Sequence, residues 1–147
     1  MTQSLPPKSL ILYADDDPDD LDLVKDLFAK YETVVDLVTF DNGLQLLQYI
    51  KRSDLLHNGP CLVILDVNMP LIDGKENLKR LRSMDGCSDV PIVLFTTSSQ
   101  PHEAAFAHKY NAAFITKPLH AAQAHMIVDR MLEHCAPDVQ ERIRKLR

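Results

Sequence analysis

The sequence predicts an α/β protein, a doubly wound parallel sheet of five strands built as (βα)5. Two observations predict it. Five short strand-like runs recur along the chain, Leu10–Ala14, Thr33–Phe40, Cys61–Leu65, Ile92–Phe95 and Ala112–Thr116. Most are continuous apolar stretches, as expected of strands covered on both faces. Between them the apolar spacing turns helical, and strict strand–helix alternation builds a parallel sheet through right-handed crossovers.

Each element has a local cause. After Leu10–Ala14, Pro18 suits the first turn of a helix with Asp19, Asp20 and Asp22 at its positive end. Leu21, Val24, Leu27 and Phe28 then repeat at helical spacing. Thr33–Phe40 is β-branched and partly alternating, which fits an edge strand. Asp41-Asn42-Gly43 is a turn signal, followed by a helix with Leu44, Leu47 and Ile50 inward. Ser53–Pro60 reads as loop, Cys61–Leu65 as a buried strand and Pro70–Gly74 as loop, and Leu78 and Leu81 mark the next helix.

Pro91 opens the fourth strand, and Ser98–Pro101 forms the loop behind it. Glu103–Tyr110 reads as a short, weakly apolar helix. The fifth strand leads to a last core helix, Leu119–His134, with Ala122, Met126, Val128, Met131 and Leu132 as its apolar residues. Pro137 is a boundary, and Val139, Ile143 and Leu146 share a face beyond it. The expected organisation is a tail over residues 1–8, a domain over 9–134 and a helical extension over 135–147.

With 147 residues, 46% hydrophobic and 25% charged, the chain is expected to be one globular domain rather than a disordered one. A net charge of −5 disfavours DNA as a partner. No apolar stretch approaches the roughly 20 residues that span a bilayer, so no membrane is expected. Met1–Lys8 lacks the apolar core of a signal peptide, so the expected location is cytoplasmic. Cys61, Cys87 and Cys135 show no C-x-x-C spacing and read as reduced thiols, and the scattered histidines give no zinc pattern.

The chemistry sits where strands end. Asp15-Asp16-Asp17 follows the first run, Asp66 the third, Thr96 the fourth and Lys117-Pro118 the fifth. Ligands of open parallel sheets bind outside these carboxyl ends. If the first and third strands are neighbours, their carboxylates face one another. Two unit charges 4 Å apart repel by about 4 kcal/mol at an effective dielectric near 20. A divalent cation with hard oxygen ligands would relieve that repulsion, and Mg²⁺ fits best. Asp19, Asp20 and Asp22 read instead as acids decorating a helix N-terminus.

The residues I-L-Y-A-D-D-D-P, L-V-I-L-D-V-N-M-P-L-I-D-G, V-P-I-V-L-F-T-T and F-I-T-K-P together resemble the receiver domain of two-component response regulators. The resemblance covers roughly residues 9–134 and implies the flavodoxin-like strand order 2-1-3-4-5. It implies Asp66 as phosphoacceptor and Mg²⁺ held by Asp16, Asp66 and the Asn68 backbone carbonyl, with Asp15 assisting through water. Lys117 would contact the phosphoryl oxygens, and Pro118 would aim it through a cis peptide. Thr96 and Phe114 would form the switch, Thr96 moving toward the phosphate and Phe114 swinging into the space. That would remodel the face of the fourth helix, fifth strand and fifth helix.

The sequence departs from the family in carrying Thr97 where a small residue is usual and Phe114 without a hydroxyl. Asn68 and Ser98 flank the expected path of attacking water and would tune phosphate lifetime.

The implied partners are a sensor histidine kinase and a histidine phosphotransfer protein, with a homodimer as a further hypothesis. A narrower similarity to the small regulators of bacterial phytochromes points to a phytochrome-type kinase. The expectation is a stand-alone, non-enzymatic receiver. Three alternatives stand beside it. A haloacid-dehalogenase-like phosphohydrolase would use Asp15-x-Asp17 but leaves Asp66 without a role. A flavin carrier would need a Ser/Thr/Gly-rich loop in place of the aspartates. A receiver-shaped interaction module would not be phosphorylated at all.

Overall fold

The computed structural model describes residues 8–52, 59–98, 100–117, 123–135 and 137–146. Its strands are β1 (Ser9–Ala14), β2 (Val35–Phe40), β3 (Leu62–Asp66), β4 (Ile92–Thr96) and β5 (Ala113–Thr116). Its helices are α1 (Pro18–Phe28), α2 (Gly43–Arg52), α3 (Gly74–Arg82), α4 (Pro101–Lys109), α5 (Ala124–Leu132) and α6 (Pro137–Arg144), with a 3₁₀ turn at Ala29–Tyr31. The strands form one parallel sheet in the order β2-β1-β3-β4-β5. The chain therefore reverses direction across the sheet at β1, and a crevice opens beyond the ends of β1 and β3.

Strand alternation divides the core into two layers. Ile11, Tyr13, Ile64, Val93, Phe95 and Ile115 pack with α1, α5 and α6 on one face. Leu12, Ala14, Val63, Leu65 and Leu94 pack with α2, α3 and α4 on the other. Asp17 caps α1, its side chain accepting from the Asp19 amide, and Pro18 occupies the first turn. Asp73 caps α3 in the same way through the Glu76 amide.

Arg82, at the end of α3, holds the loops that feed β4 and β5. Its guanidinium donates to the backbone carbonyls of Cys87, Val90, Tyr110 and Asn111 at 2.7–3.0 Å. A planar fork of donors suits that task in a way an ammonium cannot.

Three apolar assignments from the sequence are corrected. Leu44 is exposed, and Leu46 takes the inward place beside Leu47 and Ile50. Gly43 sets this rotation, because a Cβ there would lie 2.3 Å from the Ile72 carbonyl oxygen and 2.4 Å from Asn77 Nδ2. With Gly43 against α3, the buried stripe is 43, 46, 47 and 50, and Leu44 turns away.

Met126 is 68% exposed, since Ala124, Val128, Met131 and Leu132 define the buried stripe of α5 on another side. Leu146 is exposed because α6 ends at Arg144, while Val139 and Ile143 are buried in the α1–α5 layer. The expected cis peptide at Pro118, residues 53–58 of the second loop, and Ala122 lie outside the described residues.

Candidate functional site

Sheet register brings the acidic groups together. Ala14 pairs with Leu65, so the next residues, Asp15 and Asp66, leave neighbouring strands side by side. Thr96 pairs with Thr116, and the Lys117 amide donates to the Thr96 carbonyl at 2.6 Å, which carries Lys117 over the same edge. Asp15, Asp16 and Asp66 each offer a carboxylate oxygen, and these oxygens lie within 4.8 Å of one another. Asp15 and Asp66 are buried, whereas Asp16 stands exposed at the rim.

Lys117 is the central cation. Its Nζ lies 2.8 Å from Asp15 Oδ2, 2.7 Å from Asp20 Oδ2 and 3.4 Å from Asp66 Oδ1. Burial by itself lowers the basicity of this ammonium. Its hydrogen bonds to Asp15 and Asp20 and the charges of Asp15 and Asp66 outweigh that and hold it well above the ordinary lysine value.

Tyr13 Oη donates to Asp15 Oδ2, and the Asp17 amide donates to Oδ1 at 3.0 Å. Burial, followed by the Asp15 charge, pushes the Tyr13 phenol up, so it remains a neutral donor. Asp66 is pushed up to about 7 by burial first and the Asp15 charge second, with Lys117 opposing both. One ammonium thus faces several carboxylates, and negative charge is left over.

The residues fit a hard divalent cation on two grounds. The oxygens of Asp15, Asp16 and Asp66 are gathered within one coordination sphere, and the single ammonium of Lys117 faces more carboxylates than it can balance. Asn68 is exposed in the loop directly after β3, two residues on from Asp66.

Thr96 is fully buried at the end of β4, and its Oγ1 accepts from the Ser98 amide at 3.2 Å. Phe114 pairs with Leu94 and packs, half-buried, against the α2–α4 layer. Strand alternation puts Thr96 and Phe114 on that same face, one pleat apart. Thr97 is exposed, at the mouth of the crevice.

Three neighbours of the pocket went unread in the sequence. Asp20 contacts Lys117, although an acid in the first turn of a helix gives no sign of which way it faces. Tyr13 had a signal, because residues two apart on a strand share a face, which sets its ring beside Asp15. Gly74 is a third such residue. A Cβ there would lie 2.2 Å from the Asp66 carbonyl oxygen and 2.8 Å from Val67 Cα, so only glycine lets α3 start against the backbone of Asp66.

A doubly wound sheet with an aspartate pocket, a lysine and a threonine at the ends of β1, β3, β4 and β5 defines a receiver module. The chain belongs to the response regulator receiver domain family, whose model matches residues 11–129. Receiver domains are signalling modules of two-component systems and are phosphorylated by histidine kinases.

The chain is similar to "Response regulator Rcp1" of Synechocystis, with 26% identity over 118 residues, 78% of this chain and 80% of that protein. A crystal structure of the phosphorylated cyanobacterial phytochrome response regulator RcpA superposes with a TM-score of 0.79 at 24% identity, covering 90% of this chain and 96% of that one. The bacteriophytochrome response regulator AtBRR gives 0.67 at 26% identity, covering 86% and 94%. No described helix is long and apolar enough to cross a membrane.

Proposed function

We propose that this receiver takes a phosphoryl group onto Asp66 from a histidine kinase, with Mg²⁺ held by Asp15, Asp16, Asp66 and the Asn68 carbonyl. The observation that carries the reading is the convergence of Lys117 on Asp66, Asp15 and Asp20 in a pocket with surplus negative charge. A carboxylate oxygen of Asp66 attacks phosphorus, the P–N bond to the donor imidazole breaks, and the nitrogen leaves with the electron pair. A bound Mg²⁺ would supply charge neutralisation for the carboxylates and the phosphoryl oxygens.

The remaining work belongs to the chain's own side chains. Lys117 is poised to exchange a carboxylate for a phosphoryl oxygen as a point charge. Tyr13 and the Asp17 amide keep Asp15 oriented while that exchange occurs. The Thr96 hydroxyl would turn from the Ser98 amide to the new phosphoryl group. Phe114, one pleat behind on the same face, would then repack by shape alone and alter the α4–β5–α5 face read by a partner.

The similarity to phytochrome response regulators supports a phytochrome-type kinase as donor. The altered face would bind a target or a second copy of the chain, or the phosphate would pass to a histidine phosphotransfer protein. Residues 9–134 would form the receiver proper and 135–147 an extension, with Val139 and Ile143 of α6 buried in the α1–α5 layer. Intact mass after incubation with acetyl phosphate and Mg²⁺ tests the chemistry. One adduct, lost in Asp66→Asn and in EDTA, is expected. Failure to form it with either acetyl phosphate or a phosphorylated kinase would leave the fold as a docking module only.

A further inference from the structure

The cysteines, which read as isolated in the sequence, are not all isolated in space. Cys61 and Cys135 are 74 residues apart in the chain, and their Sγ atoms lie 3.3 Å apart. We propose that this pair is a redox modification site, at which a peroxide joins the two thiols in an intramolecular disulfide. The site lies at the amino end of β3, away from the aspartate pocket, and the proposal does not depend on the phosphoacceptor reading.

Both thiols are held in place by their backbones. The Cys61 amide donates to the Leu10 carbonyl at 2.8 Å. The Cys135 amide donates to Leu132 at 3.1 Å, and its carbonyl accepts from Gln140 Nε2 at 2.7 Å. Little conformational search therefore separates the two sulfurs, which favours an intramolecular reaction.

Exposure divides the roles. Cys61 is partly exposed and meets the oxidant, whereas Cys135 is buried behind it. The contact between the two sulfurs lowers the Cys61 thiol, although burial opposes it. That same contact, together with burial, raises Cys135. The partly exposed Cys61 is therefore the attacking thiol and the buried Cys135 the resolving one. Cys87 lies in the opposite core layer, where burial raises its thiol, and it serves as an internal control.

The chemistry balances with a peroxide as the oxidant. The Cys61 thiolate attacks a peroxide oxygen, the O–O bond breaks, hydroxide leaves and Cys61 becomes a sulfenic acid. Cys135 then attacks the Cys61 sulfur, the S–S bond forms, the S–O bond breaks, and the Cys135 proton leaves with the hydroxide as water. In a reducing compartment such a bond is transient and reports oxidant exposure. It would tie the start of β3 to the segment between α5 and α6. The long closed loop predicts a thermal midpoint raised by roughly 10 °C.

The test treats the reduced, folded protein with equimolar hydrogen peroxide and then blocks free thiols with N-ethylmaleimide. Expected are a loss of two hydrogen masses, a Cys61–Cys135 linked peptide after digestion, reversal by dithiothreitol, and a higher melting temperature. Cys87→Ser should retain all four and Cys61→Ser should lose them. A linked peptide from the wild type decides the matter even if a variant fails to fold. Three alkylatable thiols after treatment, a stable sulfinic acid at Cys61, or a covalent dimer in place of the internal bond would overturn the proposal.

Discussion

Replacing Asp66 with asparagine should stabilise the metal-free protein, and only at neutral to alkaline pH. The folded-state value of about 7 stands against 3.8 for an ordinary aspartate. Between those values the folded protein holds a proton that the unfolded chain has released. The associated stability is complete below about pH 4 and is lost as pH rises through about 7. That difference corresponds to ~4 kcal/mol at pH 8, where burial first and the Asp15 charge second oppose the ionised Asp66.

Asparagine removes that cost but forfeits the 3.4 Å contact with Lys117, which still keeps Asp15 and Asp20. The net gain expected at pH 8 is about 2–3 kcal/mol, shrinking below about 1 kcal/mol at pH 5, where Asp66 in the wild type is already protonated. Urea denaturation in EDTA at both pH values measures it. Adding Mg²⁺ at pH 8 should then stabilise the wild type and close the gap, by about 2.7 kcal/mol at a hundred times its Kd. A variant less stable than wild type at pH 8 in EDTA, or a gain equal at both pH values, would refute the account of Asp66 as a buried carboxylate that is costly to ionise.

Three further expectations follow from named contacts. Lys117→Met leaves Asp15, Asp20 and Asp66 without their ammonium and should cost about 3–5 kcal/mol at pH 8. The cost should fall at pH 5 as Asp66 protonates, and urea midpoints across that range would read it; a loss independent of pH would mean lost packing instead. Gly74→Ala would ordinarily favour a helix by about 1 kcal/mol. Here its Cβ meets the Asp66 and Val67 backbone at 2.2 and 2.8 Å, so melting should show destabilisation and acetyl phosphate should label the protein more slowly. Arg82→Ala abandons four carbonyls and should cost about 3 kcal/mol in urea titrations, with Arg82→Lys recovering little of it.

Much of this protein was legible before its structure. Short buried runs separated by helical spacing specified alternating elements, because the hydrophobic period reports directly which faces leave water. Asp15, Asp16, Asp66, Thr96 and Lys117 stood out because each follows a buried strand, where a polar residue needs a reason. Local chemistry also located the start of the first helix, since Pro18 acts within a few residues, whereas Pro101, read as loop, opens α4.

What stayed hidden depends on the rotation and docking of whole elements. Leu44 and Leu46 are equally apolar, and only the contact of Gly43 with Ile72 and Asn77 decides which one is buried. Asp19, Asp20 and Asp22 are alike as helix-cap acids. Asp20 alone of them reaches Lys117 at 2.7 Å, because α1 docks through Val24, Leu27 and Phe28. The sulfurs of Cys61 and Cys135 meet across 74 residues of intervening chain, which no local pattern encodes. The sequence by itself determined the class of fold and which polar residues stand at its strand ends. The tertiary structure decided which groups share a charge or a bond, because those contacts are set by packing between elements far apart in the chain.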